Sequence, residues 1–248
     1  MKGTTYNLNN LTIGYARGKR RKILGDNLCA HLEKGELTCL LGTNGCGKST
    51  LLRTMAGLQP ALRGELFLMG RNIVDIERND LAKMVSIVLT ENIPAKSLTV
   101  WETVALGRMP YTHFWGGLKK EDRNIVETAL QKVGMSKQKE RFIVELSDGE
   151  RQRVLIAKAL AQNTPTILLD EPTCFLDYPG KYEILELLGQ MAHREGITVL
   201  LSIHDLELAL QMADCIWMMN NGSLTVTKEK WSVQDFLDLT KNGSPNPS

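Results

Sequence analysis

The stretch "GTNGCGKST", residues 42–50, constrains the fold more than any other part of the 248-residue chain. It follows the apolar run Leu37-Thr38-Cys39-Leu40-Leu41 and leads into Ser49 to Leu58, a helical stretch stopped by Gln59-Pro60. Gly42, Gly47, Lys48 and Ser49 fit the phosphate-cradling pattern, in which four variable residues separate the glycines. The loop Gly42, Thr43, Asn44, Gly45, Cys46 and Gly47 lets consecutive backbone N–H groups curl round an anion ahead of a positive helix end. Lys48 is a point charge suited to β- and γ-phosphates, the Ser49 hydroxyl suits Mg2+, and Thr50 beside it is expected to bind the nucleotide. A strand, such a loop and a helix in succession predict a nucleotide-binding α/β fold.

A chain of this length, 43% hydrophobic and 23% charged, can bury the core of one large domain or of a domain with an inserted subdomain. Its net charge of +2 implies neither a nucleic-acid partner nor a membrane surface. Arg17, Lys19, Arg20, Arg21 and Lys22 form a basic run that reads as a solvated loop. The cysteines (Cys29, Cys39, Cys46, Cys174, Cys215) are odd in number and contain no CxxC pair, which suits a reducing cytosol and argues against disulfides or zinc. No apolar run approaches the ~18 residues of a membrane span, and no signal-peptide pattern opens the chain. A cytosolic protein is expected, unless a partner carries it to a membrane.

Residues 4–41 read as short β-like segments alternating with turns, ending in the strand that feeds the loop. Gly64 to Ile73 reads as a strand pair with a turn at Gly70. Residues 97–145 read as helical. Thr99 and Glu102 form a capping box before Val100 to Leu106, and Ile125, Val126, Ala129, Leu130 and Val133 form an amphipathic stripe stopping at Gly134. Strand-like runs return at Thr166 to Leu169, Thr198 to Ile203 and Ile216 to Met219, before the turn Asn221-Gly222. Lys241 to Ser248 is expected to be a disordered tail. The pattern is an α/β core with one phosphate loop and a helical insertion at about residues 91–160.

"TILLDEP", residues 166–172, is an apolar strand ending in two carboxylates. Alone, such a pair is an ordinary turn. Behind a phosphate loop in an α/β core it stands at the carboxyl end of a strand, where ligands bind. Asp170 is expected to hold Mg2+, directly or through water, and Glu171 to orient and polarise an attacking water. "LSDGERQRVLIAKALAQ", residues 146–162, opens with a second capping box, Ser147 with Glu150, on a helix whose apolar face is Val154, Leu155, Ala157 and Leu160. A helix N-terminus with a Ser hydroxyl is also an anion site.

The order of these motifs resembles that of an ABC-type ATPase subunit: phosphate loop, Leu146-Ser147-Asp148-Gly149-Glu150, Asp170-Glu171, then His204 after the strand Thr198 to Ile203. The resemblance covers about residues 4–230, and departs from the family's Leu-Ser-Gly-Gly-Gln signature at Asp148 and Glu150. It implies a P-loop NTPase core of the ABC ATPase type, with an antiparallel β subdomain and an inserted α-helical subdomain, within residues 1–240. It also implies ATP and Mg2+ as cofactors, and no Asn-Lys-x-Asp guanine-reading motif occurs. Tyr15 stands where the family places an aromatic that stacks on adenine, and His204 where it places a switch histidine. Cys174-Phe175-Leu176-Asp177 resembles the dimer-contact loop, with Asp177 its acid. Two copies are expected to stack head to tail, so that Ser147 and the backbone at Gly149 touch the γ-phosphate held by the other copy. Asp148 must then aim its carboxylate away from that phosphate, while Glu150 suits the first helical turn. One usual residue is missing. In "SIVLTENIP", residues 86–94, Thr90 stands where the family usually has a Gln contacting Mg2+ or the attacking water. Its hydroxyl reaches less far than an amide, so Thr90 is expected near the metal through water.

Three kinds of work are open to such an ATPase. It drives a membrane importer, closes a soluble clamp on nucleic acid or in translation, or assists assembly as an iron–sulfur scaffold partner does. The sequence has neither the long coiled-coil insertion nor the second phosphate loop of the clamps. "TVWETVALGRMPY", residues 99–111, resembles importer ATPases that serve iron–siderophore, haem and vitamin B12 permeases, where Gly-Arg-x-Pro follows a helix in the insertion. Trp101, Tyr111, Phe114 and Trp115 are expected to pack that subdomain and shape the groove receiving a permease helix. The expectation is a homodimeric ATPase on the cytoplasmic face of the inner membrane, bound to two transmembrane permease subunits and, through them, to a periplasmic substrate-binding protein. No nucleic acid is expected. Ferric siderophore, haem and cobalamin stay open, because the substrate does not touch this chain.

Overall fold

The computed structural model describes residues 3–17, 20–89, 97–112, 117–229 and 233–234. Thr90, Phe114, Trp115 and the tail 241–248 lie outside the described residues. Continuous apolar runs become strands buried on both faces. β3 (Leu37–Gly42), β6 (Val85–Val88), β7 (Thr166–Leu169), β8 (Thr198–Ser202), β9 (Cys215–Asn220) and β10 (Ser223–Thr227) form one sheet in the order β10-β9-β3-β8-β7-β6. Its pairs are parallel except β10 with β9, which are joined by Asn221 and Gly222, both at positive φ as a tight hairpin turn requires.

Alternate residues of the central strands feed two cores. Leu37, Cys39 and Leu41 of β3 and Val199 and Leu201 of β8 face a layer that includes α5 (Asp148–Ala161) and α6 (Tyr178–Glu195). Leu40 and Leu200 face the other way, with Trp217 and Met219, toward α1 (Lys48–Met55) and a second sheet. That sheet is antiparallel, in the order β2-β1-β4-β5, from β1 (Thr4–Arg17), β2 (Arg20–Glu33), β4 (Arg63–Leu68) and β5 (Arg71–Asn72). The Tyr6 hydroxyl donates to Met55 O at 2.8 Å and ties β1 to the end of α1.

The segments expected to be short between residues 4 and 41 are two 14-residue strands followed by β3. The residues that read as turns are absorbed as irregularities of one antiparallel ladder, with Asn10 and Asn27 at positive φ and register shifts nearby. Nor are the described residues of the basic run a loop. Arg17 ends β1, and Arg20, Arg21 and Lys22 begin β2. The helical stretch lies between β6 and β7 as α3 (Val100–Ala105), α4 (Lys120–Lys132) and α5, with the expected capping boxes at Thr99 and Ser147. α2 (Arg78–Met84), α6 and α7 (Leu206–Met212) had no counterpart in the expectations. Buried Arg108 donates to Asp122 Oδ1 and Ala161 O, both at 2.9 Å, and stacks on Tyr111, so the Gly-Arg-x-Pro stretch is clamped to α4 and α5.

Candidate nucleotide site

The phosphate loop joins β3 to α1, and its shape depends on glycines, two of which pack against Met219. Gly42 has φ +153°, and a Cβ there would lie 2.4 Å from Met219 O. Gly47 has φ +115°, and a Cβ there would lie 2.7 Å from the Met219 methyl. No side chain caps α1, and its first turn holds no acid, so the positive end of the helix faces the loop without a resident anion. Lys48 is only 5% exposed, and its ammonium donates to Gly42 O at 2.8 Å and Thr43 O at 3.3 Å. The loop's own carbonyls thus hold a cation at the mouth of the anion cradle. Cys46 packs with the core beneath the loop rather than lining the cleft above it.

Above the loop lies a cleft of about 290 Å³ lined by Tyr15, Lys22, Leu24, Asn44, Gly45, Gly47, Lys48, Ser49, Thr50 and Glu171. Tyr15 is half exposed, and its hydroxyl lies 3.0 Å from Thr50 Oγ1, which anchors the ring beside α1. Lys22 pairs with Tyr15 across the β1–β2 ladder and therefore enters the cleft. Lys22 was read from the sequence only as part of a solvated basic run, and Leu24 was not singled out. A basic residue alternating inward from a strand opposite Tyr15 was the available signal.

At the end of β7 the chain turns sharply. Asp170 is 4% exposed, and its N–H donates to Val88 O at 2.8 Å. Glu171 has φ +50°, a left-handed conformation uncommon outside glycine. Glu171 Oε1 lies 2.6 Å from His204 Nε2, in the bend after β8. The fully buried Ser202 donates to Asp170 Oδ1 at 2.8 Å and accepts the Glu171 N–H at 2.9 Å. Ser202 was missed in the sequence, although it is a polar residue closing the run Val199-Leu200-Leu201.

Ser147, Gly149 and Asp177 are not among the residues lining this cleft. Ser147 caps α5: its Oγ accepts the Glu150 N–H at 3.2 Å, while its N–H donates to Glu150 Oε2 at 2.9 Å. That bond to the Ser147 backbone holds the Glu150 carboxyl below its usual range. Asp148 pairs with Arg151, and Arg141 lies 3.5 Å from Glu150, so each acid of the signature has a cation beside it. A Cβ on Gly149 would lie 3.2 Å from the Leu176 side chain, so the signature backbone abuts the stretch before Asp177. Asp177 caps α6, its Oδ1 accepting the Gly180 N–H at 3.1 Å.

Residues 25–174 match the family model for ABC transporters. The chain belongs to the ABC transporter ATPase family. This ABC ATPase is 40% identical over 224 residues to the iron(3+)-hydroxamate import ATP-binding protein FhuC of Bacillus subtilis (strain 168), covering 90% of this chain and 81% of that one. It is 34% identical to the ferric enterobactin transport ATP-binding protein FepC of Escherichia coli (strain K12), over 86% of this chain and 78% of the relative. Among solved structures it superposes on a metal-chelate type ABC transporter in an inward-facing conformation, with TM-score 0.78 and 26% identity over 91% of this chain and 84% of that one. It superposes on the dimeric ABC transporter cassette MJ0796 with TM-score 0.79 and 27% identity, over 90% of this chain and 98% of that one.

Proposed function

We propose that this ABC ATPase powers a membrane importer of a metal chelate, working as a head-to-tail homodimer. The observation that carries the dimer is the division of the site within one chain. Lys48, Ser49 and Glu171 line one cleft, whereas Ser147 and Asp177 cap α5 and α6 and, with Gly149, are not among its lining residues. In this reading the α5 N-terminus of one copy completes the nucleotide site of the other. Metal-chelate import is supported by the relatives, since FhuC and FepC are named for iron(3+)-hydroxamate import and ferric enterobactin transport. Those names weigh against an iron–sulfur assembly role.

The residues then divide the work on ATP. Tyr15 stacks on the base. Gly42, Thr43, Asn44, Gly45, Cys46, Gly47 and Thr50 surround the phosphates with backbone N–H groups, and Lys48 binds the β- and γ-phosphates. Glu171 orients and polarises the attacking water, and His204 holds the Glu171 carboxylate and senses the γ-phosphate. Among the described residues no group of three or more His, Cys, Asp or Glu forms a metal cage. The oxygens of Ser49 and Asp170 instead fit Mg2+, a hard ion that takes a few protein oxygens and completes its shell with phosphate and water. When bound, Mg2+ neutralises charge on the phosphates. Thr90 is assigned to that ion through water.

Among the described residues no helix is long and apolar enough to cross a membrane. With relatives named for iron(3+)-hydroxamate import and ferric enterobactin transport, the subunit is assigned to the cytoplasmic face of the membrane, held there by two permease subunits, with a periplasmic binding protein delivering the chelate. ATP binding closes the dimer and moves the permease; hydrolysis and phosphate release reset it. Cells lacking this chain should lose uptake of one labelled chelate among ferric siderophore, haem and cobalamin. Unaltered uptake of all three would reject the importer assignment.

A further inference from the structure

Ser202 joins the two carboxylates of the site through a single hydroxyl. It ends β8, beside β7 in parallel pairing, where Leu169 lies opposite Leu201. Beyond that pair the ladder stops, and past the end of β7 the Asp170 carboxylate and the Glu171 N–H turn to Ser202. Its O–H donates to Asp170 Oδ1 at 2.8 Å, and its oxygen accepts the Glu171 N–H at 2.9 Å. We propose that Ser202 is a positioning residue of the ATPase site, setting from β8 both the Asp170 carboxylate and the backbone turn that carries Glu171 into the cleft.

Three features support this. First, Glu171 occupies a left-handed conformation that persists in a non-glycine residue only when its surroundings over-determine it. Its N–H is held by Ser202, and its carbonyl accepts the Cys174 N–H at 3.2 Å, so the turn is pinned on both sides. Second, Ser202 is fully buried. With little water to compete, a hydroxyl bonded in both directions fixes orientation more strongly than one at the surface. Third, the turn determines where the Glu171 side chain points: into the cleft with Lys48 and Ser49, with Oε1 2.6 Å from His204 Nε2. An apolar residue at position 202 would take a partner from Asp170 and from Glu171 at once. Ser202 acts through these neighbours and is not itself assigned a contact with ATP. The proposal rests on the assignment of Asp170 to the metal and Glu171 to the water.

The test compares Ser202→Ala, Ser202→Thr and Ser202→Cys with Asp170→Asn and the unaltered protein. It measures metal-free binding of a fluorescent ATP analogue, Mn2+ affinity in the presence of ATP by electron paramagnetic resonance, ATP turnover, and Tm. Removing a hydroxyl that orients a metal-binding carboxylate should weaken Mn2+ affinity and turnover by about tenfold each. Metal-free nucleotide binding in Ser202→Ala should change by less than about twofold, because the phosphate loop is untouched. Ser202→Thr keeps the hydroxyl and should restore both quantities; Ser202→Cys, with a weaker donor in similar space, should fall between. Ser202→Ala with unchanged Mn2+ affinity and turnover overturns the proposal. So does a loss of metal-free binding in step with Tm, the mark of a merely structural residue. If Asp170→Asn also leaves Mn2+ affinity unchanged, the metal assignment of Asp170 fails. A weakened Asp170→Asn beside an unaffected Ser202→Ala rejects Ser202 alone.

Discussion

Two helix N-termini in this chain carry the marks of anion sites, and they are built in opposite ways. α1 starts at Gly47 with no side-chain cap and no acid in its first turn. α5 starts at Ser147 with a complete capping box and with Asp148 and Glu150 in its first turn. Each helix start has orphan N–H groups, which the chain, water or a ligand satisfies. A capped end gains about 1 kcal/mol from its own side chain. α1 forgoes that, and in the proposed site its N–H groups are left to a phosphate. The α5 cap satisfies the Ser147 and Glu150 N–H groups without any ligand, and because the Ser147 oxygen already accepts the Glu150 N–H, the hydroxyl proton is directed elsewhere. Its acids are balanced by Arg151 and Arg141. The bare end suits a phosphate bound within one chain, and the capped end suits one met only when two copies close.

The largest expected effect separates these roles in time. Glu171→Gln should cut phosphate release by about 10³-fold while leaving ATP on α1. With ATP the variant should elute as a dimer from a sizing column, with each α5 end closed on its neighbour's nucleotide. Unreduced turnover would remove Glu171 from the chemistry. A smaller effect breaks the bare end alone. Lys48→Met should weaken ATP binding by about 100-fold, the loss of charge-assisted bonds to phosphate, in a titration with fluorescent nucleotide. Affinity within a factor of about two of the unaltered protein would show that the loop binds without its lysine.

The smallest effect sharpens the capped end. Ser147→Ala should lower stability by about 1 kcal/mol, read as a Tm drop of about 2–4 °C, while a single chain binds ATP normally. Loss of monomer binding would place Ser147 in its own chain's site. A pH series extends this test. The Glu150 carboxyl is lowered from 4.5 by its bond to the Ser147 N–H. A lowered folded-state value contributes stability in full above the unfolded value, and loses it as pH falls through the folded one. The Tm difference between Glu150→Gln and the unaltered protein should therefore shrink as pH is lowered below about 4.5. A difference that persists undiminished in acid would mean that the carboxylate charge plays no part in the cap.

What the sequence determined by itself is local. The phosphate loop, the capping boxes at Thr99 and Ser147, the strand Thr166 to Leu169 and the Asn221-Gly222 turn are each written in a few consecutive residues, because each depends on backbone conformation and near-neighbour hydrogen bonds. The single long β1–β2 ladder was not legible, since its irregularities use the same Gly and Asn residues that mark turns. Lys22 looked like part of a solvated charge run until pairing with Tyr15 carried it into the cleft. Ser202 sits 31 positions from the nearer carboxylate, Glu171, and only the parallel pairing of β7 with β8 brings them together. The absence of Ser147 and Gly149 from the cleft that holds Lys48 is likewise a fact of tertiary structure. Hydrogen bonds between neighbouring strands join residues far apart in the chain, and no local pattern records which strands will be neighbours.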